Sequence, residues 1–347
     1  MNIKHPLFFC VLILAGFRVS GAATGEKPPP VAVSPPIFNV MENGAIGDGI
    51  TDDTAALQKT IDRALATNGA IHFPRGTYLV SKPLQVIIGS YSIQRALTMT
   101  GDWAILKAAA QMETILDLHV AAHVTVERLF LDGNGLAQHA LRAFKLSTRT
   151  ALVQQVTAHG TLSTGFVLEK CQGAVFRQCV AYKSGGDGWL LTDCNALALA
   201  DCQAMSNAGN GFVLTSADFS AGANITNIWA EANGKNGIKI QKTTGAITVR
   251  GGWIEGNGEN GILLDAVRRV SLSDLNIMGM SGEHDHTAIA IRNGTTGCLI
   301  RGNFLARSDY SGEFDRIAID DQSGNIIIRD NLQGSSPRVG RIKDREW

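Results

Sequence analysis

The 347-residue chain is poor in aromatic side chains, at 6% of positions, and it has no excess of either charge, with 31 basic residues against 31 acidic ones. So few rings do not suit one bulky globular core, and a balanced charge gives no overall attraction to nucleic acid or to a membrane surface. Local clusters can still steer an acidic ligand. Proline is scarce, and five of the nine lie in TGEKPPPVAVSPP at 24–36, which lacks apolar periodicity and is expected to be an extended linker. The apolar run from Pro6 to Gly16 is too short to span a bilayer; it follows Lys4 and precedes Ser20, Gly21 and Ala22, the layout of a cleavable secretory signal. An anchor that is kept is the alternative. Cys10 lies inside the run rather than just after it, which disfavours a lipoprotein. These features predict a signal at 1–22, a linker at 23–36, one repeat domain at 37–335 with a cap at 37–84, and a tail at 336–347. The mature chain is expected in the periplasm or outside the cell, with no membrane contact after cleavage and no nucleic-acid partner.

Glycine is abundant, at 38 residues, which favours many tight turns and calls for a search for internal repeats. Segments beginning GFVLEK at 165, GWLLTD at 188, GFVLTS at 211, GIKIQK at 237, GILLDA at 261, AIAIRN at 288 and IAIDD at 317 follow one another at steps of 23 to 29 residues. Each opens with alternating apolar side chains, such as Phe166 and Leu168 or Ile238 and Ile240, as a half-buried strand requires. Two more short apolar stretches follow before a turn, as in AVFRQCVAYKS. Three strands per unit of this length exclude an α-solenoid and predict an all-β fold, a right-handed parallel β-helix with an amino-terminal capping helix.

Cys171 and Cys194 are 23 residues apart, as are Cys179 and Cys202, so each pair takes equivalent places in consecutive coils. Two disulfides are one reading; an internal ladder of small apolar side chains is preferred. Asp187, Asn210, Asn236 and Asn260 precede the strand starts, with Asn207, Asn233 and Asn257 three residues earlier. Asn and Asp accept the left-handed conformation and bond to nearby backbone, which fits a recurring corner.

At the amino terminus, GDGITDDTAALQ is followed by GAIHFPRGTYLV. Asp52, Asp53 or Thr54 caps a helix with an apolar stripe at Ala55, Leu57, Ile61, Ala64 and Leu65, ended by Asn68 and Gly69. This segment resembles the entry to the pectate lyase superfamily of right-handed parallel β-helices, which includes uronan lyases, polygalacturonase-like hydrolases, uronan epimerases and phage tailspikes. The resemblance implies carbohydrate work outside the cytoplasm without naming a reaction, and it assigns no catalytic role to Asp48, Asp52 or Asp53.

A polysaccharide in such a fold is expected along the stack, so residues pointing outward from the first strand of each coil matter most. One outward row is expected to run Lys145, Val167, Leu190, Val213, Lys239, Leu263, Ala290, Ala318, and the next Ser147, Glu169, Thr192, Thr215, Gln241, Asp265, Arg292, Asp320. Lys239, Asp265 and Arg292 on three consecutive coils suit removal of the proton beside a uronate carboxylate: Lys239 and Arg292 as neutraliser and base, with Asp265 orienting one of them. A solvated charge pattern is the alternative. HDHTAIAIRN at 284–293 loosely resembles the His-Asp motif of periplasmic alginate epimerases, which implies His284 as base and Asp285 as its partner, although Gly282 and Glu283 stand where that family has Asp and Pro. A plain surface loop and a divalent-metal site are the other readings of this segment. Nearer the amino terminus, Glu169 with Asp187 offers a carboxyl pair for a hydrolase, and His159 and Tyr182 hold equivalent places 23 residues apart, so these four and Gln241 are candidate substrate contacts. The residues call for no cofactor and leave Ca²⁺ open. The leading expectation is a lyase or C5-epimerase on an acidic polysaccharide; a hydrolase with paired carboxylates and a non-catalytic polysaccharide-binding β-helix stand as alternatives.

Overall fold

The computed structural model describes residues 34–88, 96–120, 123–146, 151–217, 222–279, 287–306, 317–335, 338–341 and 345–346. The chain divides into two units, Met1–Ser34 and Pro35–Trp347, and every strand and helix named here lies in the second. The expected signal and most of the linker lie outside the described residues, as do His284 and Asp285. Among the described residues no helix is long and apolar enough to cross a membrane.

The repeat builds a parallel β-solenoid. One strand of each coil joins a ten-stranded parallel sheet, from Leu84–Ile88 through Met112–Val120, Ala137–Phe144, Phe166–Glu169, Trp189–Thr192, Phe212–Thr215, Ile238–Gln241, Ile262–Asp265 and Ile289–Arg292 to Ile317–Ile319. The remaining strands form a 21-stranded sheet. From Phe166 onward the register follows the repeat: Val167 pairs with Leu190, Leu190 with Val213, Val213 with Lys239, Lys239 with Leu263 and Leu263 with Ala290. The Gly that precedes each strand from Phe166–Glu169 to Ile262–Asp265 reflects a close approach, since a Cβ on Gly211 would stand 2.5 Å from the Gly237 carbonyl oxygen.

One expected coil is out of register. Val167 pairs with Arg142 and Glu169 with Phe144, so Arg142, not Lys145, belongs to the first outward row. Lys145 lies just past the strand with a left-handed φ of 53°, and Ser147 is outside the described residues. Leu141 and Ala143 face the core, and so does Leu146, so alternation by itself permits either register.

The core runs along the axis as one continuous cluster. At its centre the Trp189 ring lies between Phe166, with centroids 3.9 Å apart, and Phe212, at 5.8 Å, while its Nε1–H donates to the Gln203 carbonyl at 3.1 Å. Such ring pairs add about 0.5–1.5 kcal/mol each beyond their buried area. Five cysteines, Cys171, Cys179, Cys194, Cys202 and Cys298, are free and buried, the ladder and not the disulfide arrangement. Burial, and after it the neighbouring Cys202 sulfur, pushes the Cys179 thiol well above its usual range.

The corners are amide ladders. Asn207 Nδ2 donates to Asn233 Oδ1 at 2.8 Å and Asn233 Nδ2 to Asn257 Oδ1 at 2.9 Å, all three side chains being buried. A second ladder runs from Asp187 through Asn210, Asn236 and Asn260 to Thr287. Each amide thus satisfies a buried neighbour one coil away.

The helix Thr54–Thr67 covers the first coil with Leu57, Ile61 and Ala64 buried, and it ends at Asn68 in the left-handed region. Its entry differs from expectation in one respect. Asp53 occupies the N-cap position, but its carboxylate instead accepts from the Ile46 and Gly47 amides, while Asp52 accepts from the Thr54 amide at 3.0 Å. The three early aspartates therefore serve the cap, with Asp48 accepting from the Ile50 and Thr51 amides. At the other end, Leu332–Ser335 pairs antiparallel with Arg338–Arg341, and Arg345–Glu346 with Ile327 and Ile328, so the tail folds back on the last coil and covers a strand edge.

Candidate active site

The ten-stranded sheet presents two outward rows. The first runs Gln85, Asp117, Arg142, Val167, Leu190, Val213, Lys239, Leu263, Ala290 and Ala318. The second holds Ile87, His119, Phe144, Glu169, Thr192, Thr215, Gln241, Asp265 and Arg292. Val167, Val213 and Ala290 are buried although they point away from the core cluster, so the middle of this face has a low, apolar floor. Charge gathers on either side of it.

On the amino-terminal side stands a group that the repeat did not reach. Met112–Val120 alternates Leu116 and Leu118 inward with Asp117 and His119 outward, and the next coil sets Arg142 beside Asp117 and Phe144 beside His119. Arg142 Nη2 bonds Glu169 Oε2 at 3.0 Å one coil further on. That hydrogen bond, opposed by burial, raises the guanidinium pKa further and keeps it charged. Asp117 lies on the other side of Arg142. Burial raises its carboxyl above the usual range; Arg142 and His119 pull it back, while Glu169 and Glu113 push it up. The His119 and Phe144 rings meet edge to face, centroids 4.8 Å apart.

His139 enters the same strand as Arg142. Its Nδ1 lies 3.2 Å from the Thr164 carbonyl oxygen and its Nε2 3.6 Å from Glu113 Oε1. A carbonyl accepts only from N–H, so this contact selects the tautomer with hydrogen on Nδ1 and leaves Nε2 as the basic nitrogen. One half-buried acid of raised pKa, one fixed cation and one oriented imidazole thus occupy neighbouring coils. Asp117 lay within reach of the sequence, because Leu116 and Leu118 mark it and His119 as outward by alternation alone. Arg142 was hidden by the ambiguous register of its coil.

The expected residues separate into three places. Lys239, Asp265 and Arg292 do share the ten-stranded sheet on three consecutive coils, with Gln241 paired to Asp265, but no ion pair joins the three among the described residues. Asp265 Oδ1 accepts from Asn293 Nδ2 at 2.5 Å. Lys239 stands four strand steps from Arg142, about 19 Å at the usual inter-strand spacing. Glu169 is the carboxylate bonded to Arg142, whereas Asp187 Oδ1 accepts from both the backbone amide and the side chain of Asn210 at the corner. The two acids of the expected pair therefore have different employments, because the corner ladder needs an acceptor at its end. His159 and Tyr182 pair in register on the other sheet, rings stacked with centroids 5.6 Å apart, so they do not share the face of Glu169 and Gln241. His159 Nδ1 instead meets Asp132 Oδ1 at 3.2 Å, and Lys107 Nζ meets Asp132 Oδ2 at 3.7 Å. Among the described residues no group of three or more His, Cys, Asp or Glu side chains is placed to hold a metal ion.

Comparison with known proteins agrees with this architecture. A stretch of 82 residues is 37% identical to mannuronan C5-epimerase AlgE5 of Azotobacter vinelandii, covering 23% of this chain and 8% of that protein, so the chain spans under a tenth of that relative's length. The A-module of mannuronan C-5 epimerase AlgE4 from the same organism superposes with a TM-score of 0.63 at 18% identity over 86% of this chain and 96% of the module. The enzymatically active domain of tailspike protein 2 from bacteriophage CBA120 superposes with a TM-score of 0.64 at 13% identity over 85% of this chain and 47% of that one. Likeness at this identity extends to the fold. The family described as rhamnogalacturonase A/epimerase, pectate lyase-like, matches residues 37–285, more than half of the sequence, and the chain belongs to that family.

Proposed function

We propose that this chain is an extracytoplasmic enzyme on acidic polysaccharide that abstracts the proton beside the carboxylate of a uronic acid, as a lyase or a C5-epimerase. The observation that carries this reading is Arg142 held between Asp117 and Glu169 on the outward face of the ten-stranded sheet. Proton removal beside a carboxylate leaves charge on that carboxylate, and a fixed guanidinium lowers the barrier by meeting it. His139 Nε2 is the base, and Asp117, kept protonated to higher pH by burial, donates to the leaving oxygen or to the opposite ring face. Lys239, Asp265 and Arg292 extend the same face and are assigned to the carboxylates of more distant sugar units. His284 and Asp285 remain the alternative base and partner at that end. The epimerases among the similar proteins and the signal-like amino terminus support the substrate class and the location.

The test is incubation with a panel of uronans, following absorbance of the unsaturated product and uptake of deuterium from solvent. Arg142→Ala is expected to lower the rate about 10²–10³-fold, the usual effect of losing one charge-stabilising donor. Neither signal from any uronan would sink the reading. Asp117 of raised pKa with Glu169 on one face favours a second reading, a hydrolase, in which reducing ends appear without the unsaturated chromophore.

A further inference from the structure

The 21-stranded sheet carries an open cleft of about 260 Å³ remote in the fold from the ionisable cluster, lined by Asp201, Gln203, Asn227, Trp229, Trp253 and Asn276 among others. Gln203, Trp229, Trp253 and Asn276 stand in one outward row on four consecutive coils, each paired in register with the next. The two indoles are 41% and 38% exposed, a large apolar investment in a chain with only five tryptophans. Trp253 Nε1–H donates to Glu255 Oε2 at 2.6 Å, and Asn227 Nδ2 donates to Asp201 Oδ1 at 2.7 Å at the cleft's edge. Gly252 shapes the floor. With φ at 122° and a hypothetical Cβ only 2.2 Å from the Ile228 carbonyl oxygen, no larger residue fits between the two tryptophan strands.

We propose that this cleft is a second, non-catalytic saccharide site that takes a short stretch of neutral pyranose chain. Flat indole faces match the apolar C–H face of a pyranose ring, and the amides of Gln203, Asn227 and Asn276 with the Asp201 carboxylate match its hydroxyls. The charge in the lining selects against uronates. Among the described residues Asp201 is the one ionisable residue lining the cleft and no cation lines it, and the neighbouring Arg250 is paired with Asp274 at 3.1 Å. Such a site would hold an uncharged stretch of a mixed polymer while the charged stretch lies on the ten-stranded sheet.

Isothermal titration with cellohexaose, mannohexaose and hexamannuronate tests this on the wild-type chain, Trp229→Ala, Trp253→Ala and Arg142→Ala. A neutral hexaose is expected to bind at one site, to lose tenfold or more in affinity with either tryptophan variant, and to bind Arg142→Ala as it binds wild type, whereas any hexamannuronate binding is expected to be unchanged by either tryptophan variant. Thermal melting of the tryptophan variants is compared to separate lost binding from lost folding. Absence of binding of both neutral hexaoses at millimolar concentration overturns the proposal, as does unchanged neutral affinity in both tryptophan variants or a loss of hexamannuronate affinity in them as large as the loss of neutral affinity. Loss of neutral binding in Arg142→Ala would also overturn it, by placing that binding at the ionisable cluster. The outcome is independent of whether uronans are turned over.

Discussion

Arg142 and Asp117 show how one coil changes the meaning of its neighbours. A guanidinium bonded to Glu169 presents a fixed fork, and Arg142→Lys keeps the charge but loses that planar geometry. The expected result is a rate intermediate between wild type and Arg142→Ala, measured as kcat and KM on the uronan that responds. Asp117 makes a pH prediction. Its folded pKa lies above the ordinary 3.8, so the folded chain holds the proton more tightly than the unfolded one. The residue's contribution to stability is most favourable below about 3.8 and is lost as pH rises through the raised value. Asp117→Asn is therefore expected to melt slightly higher than wild type at neutral pH and to match it in acid. If Asp117 is the proton donor, the wild-type rate falls as pH rises through the same value, and Asp117→Asn loses both activity and that limb of the profile.

At the level of elements, the amide ladders and the capping helix do different work. Asn233 lies in mid-ladder, receiving from Asn207, donating to Asn257 and also bonding the Ala204 carbonyl, all without exposure to water. Asn233→Ala leaves donors and acceptors on both neighbouring coils unpaired, at about 1–3 kcal/mol for each buried group stranded. Denaturant unfolding is expected to show a loss in that range or above it, larger than for Asn224→Ala on the exposed side of a strand. The helix acts instead by burial, and Leu57→Ala is expected to cost about 2–5 kcal/mol as other buried leucines do.

For the whole molecule, a stack in which each coil touches only its neighbours has one continuous core, and its cysteines report on that core. Cys171, Cys179, Cys194, Cys202 and Cys298 are buried and free, and burial pushes the Cys179 and Cys298 thiols upward. In a sample lacking residues 1–22, and with them Cys10, the native protein is expected to react negligibly with a thiol-disulfide reagent at neutral pH and, in denaturant, to titrate these five within minutes. Rapid reaction of the native chain would show that the coils open.

The sequence by itself determined the solenoid, its register from Phe166 onward, the helix over the first coil and the amide corners, because each is a local pattern repeated at a nearly constant step. Lys239, Asp265 and Arg292 were legible on one face for the same reason. Only the tertiary structure decided that Arg142 and not Lys145 stands in the outward row, since alternation of period two cannot choose between registers when both bury apolar side chains. It also decided that Asp187 belongs to a corner and Glu169 to Arg142, and that His159 and Tyr182 lie on another sheet. Spacing along the chain assigns a residue to a coil, but the face it serves depends on how that coil turns, and the turns differ in length from one repeat to the next.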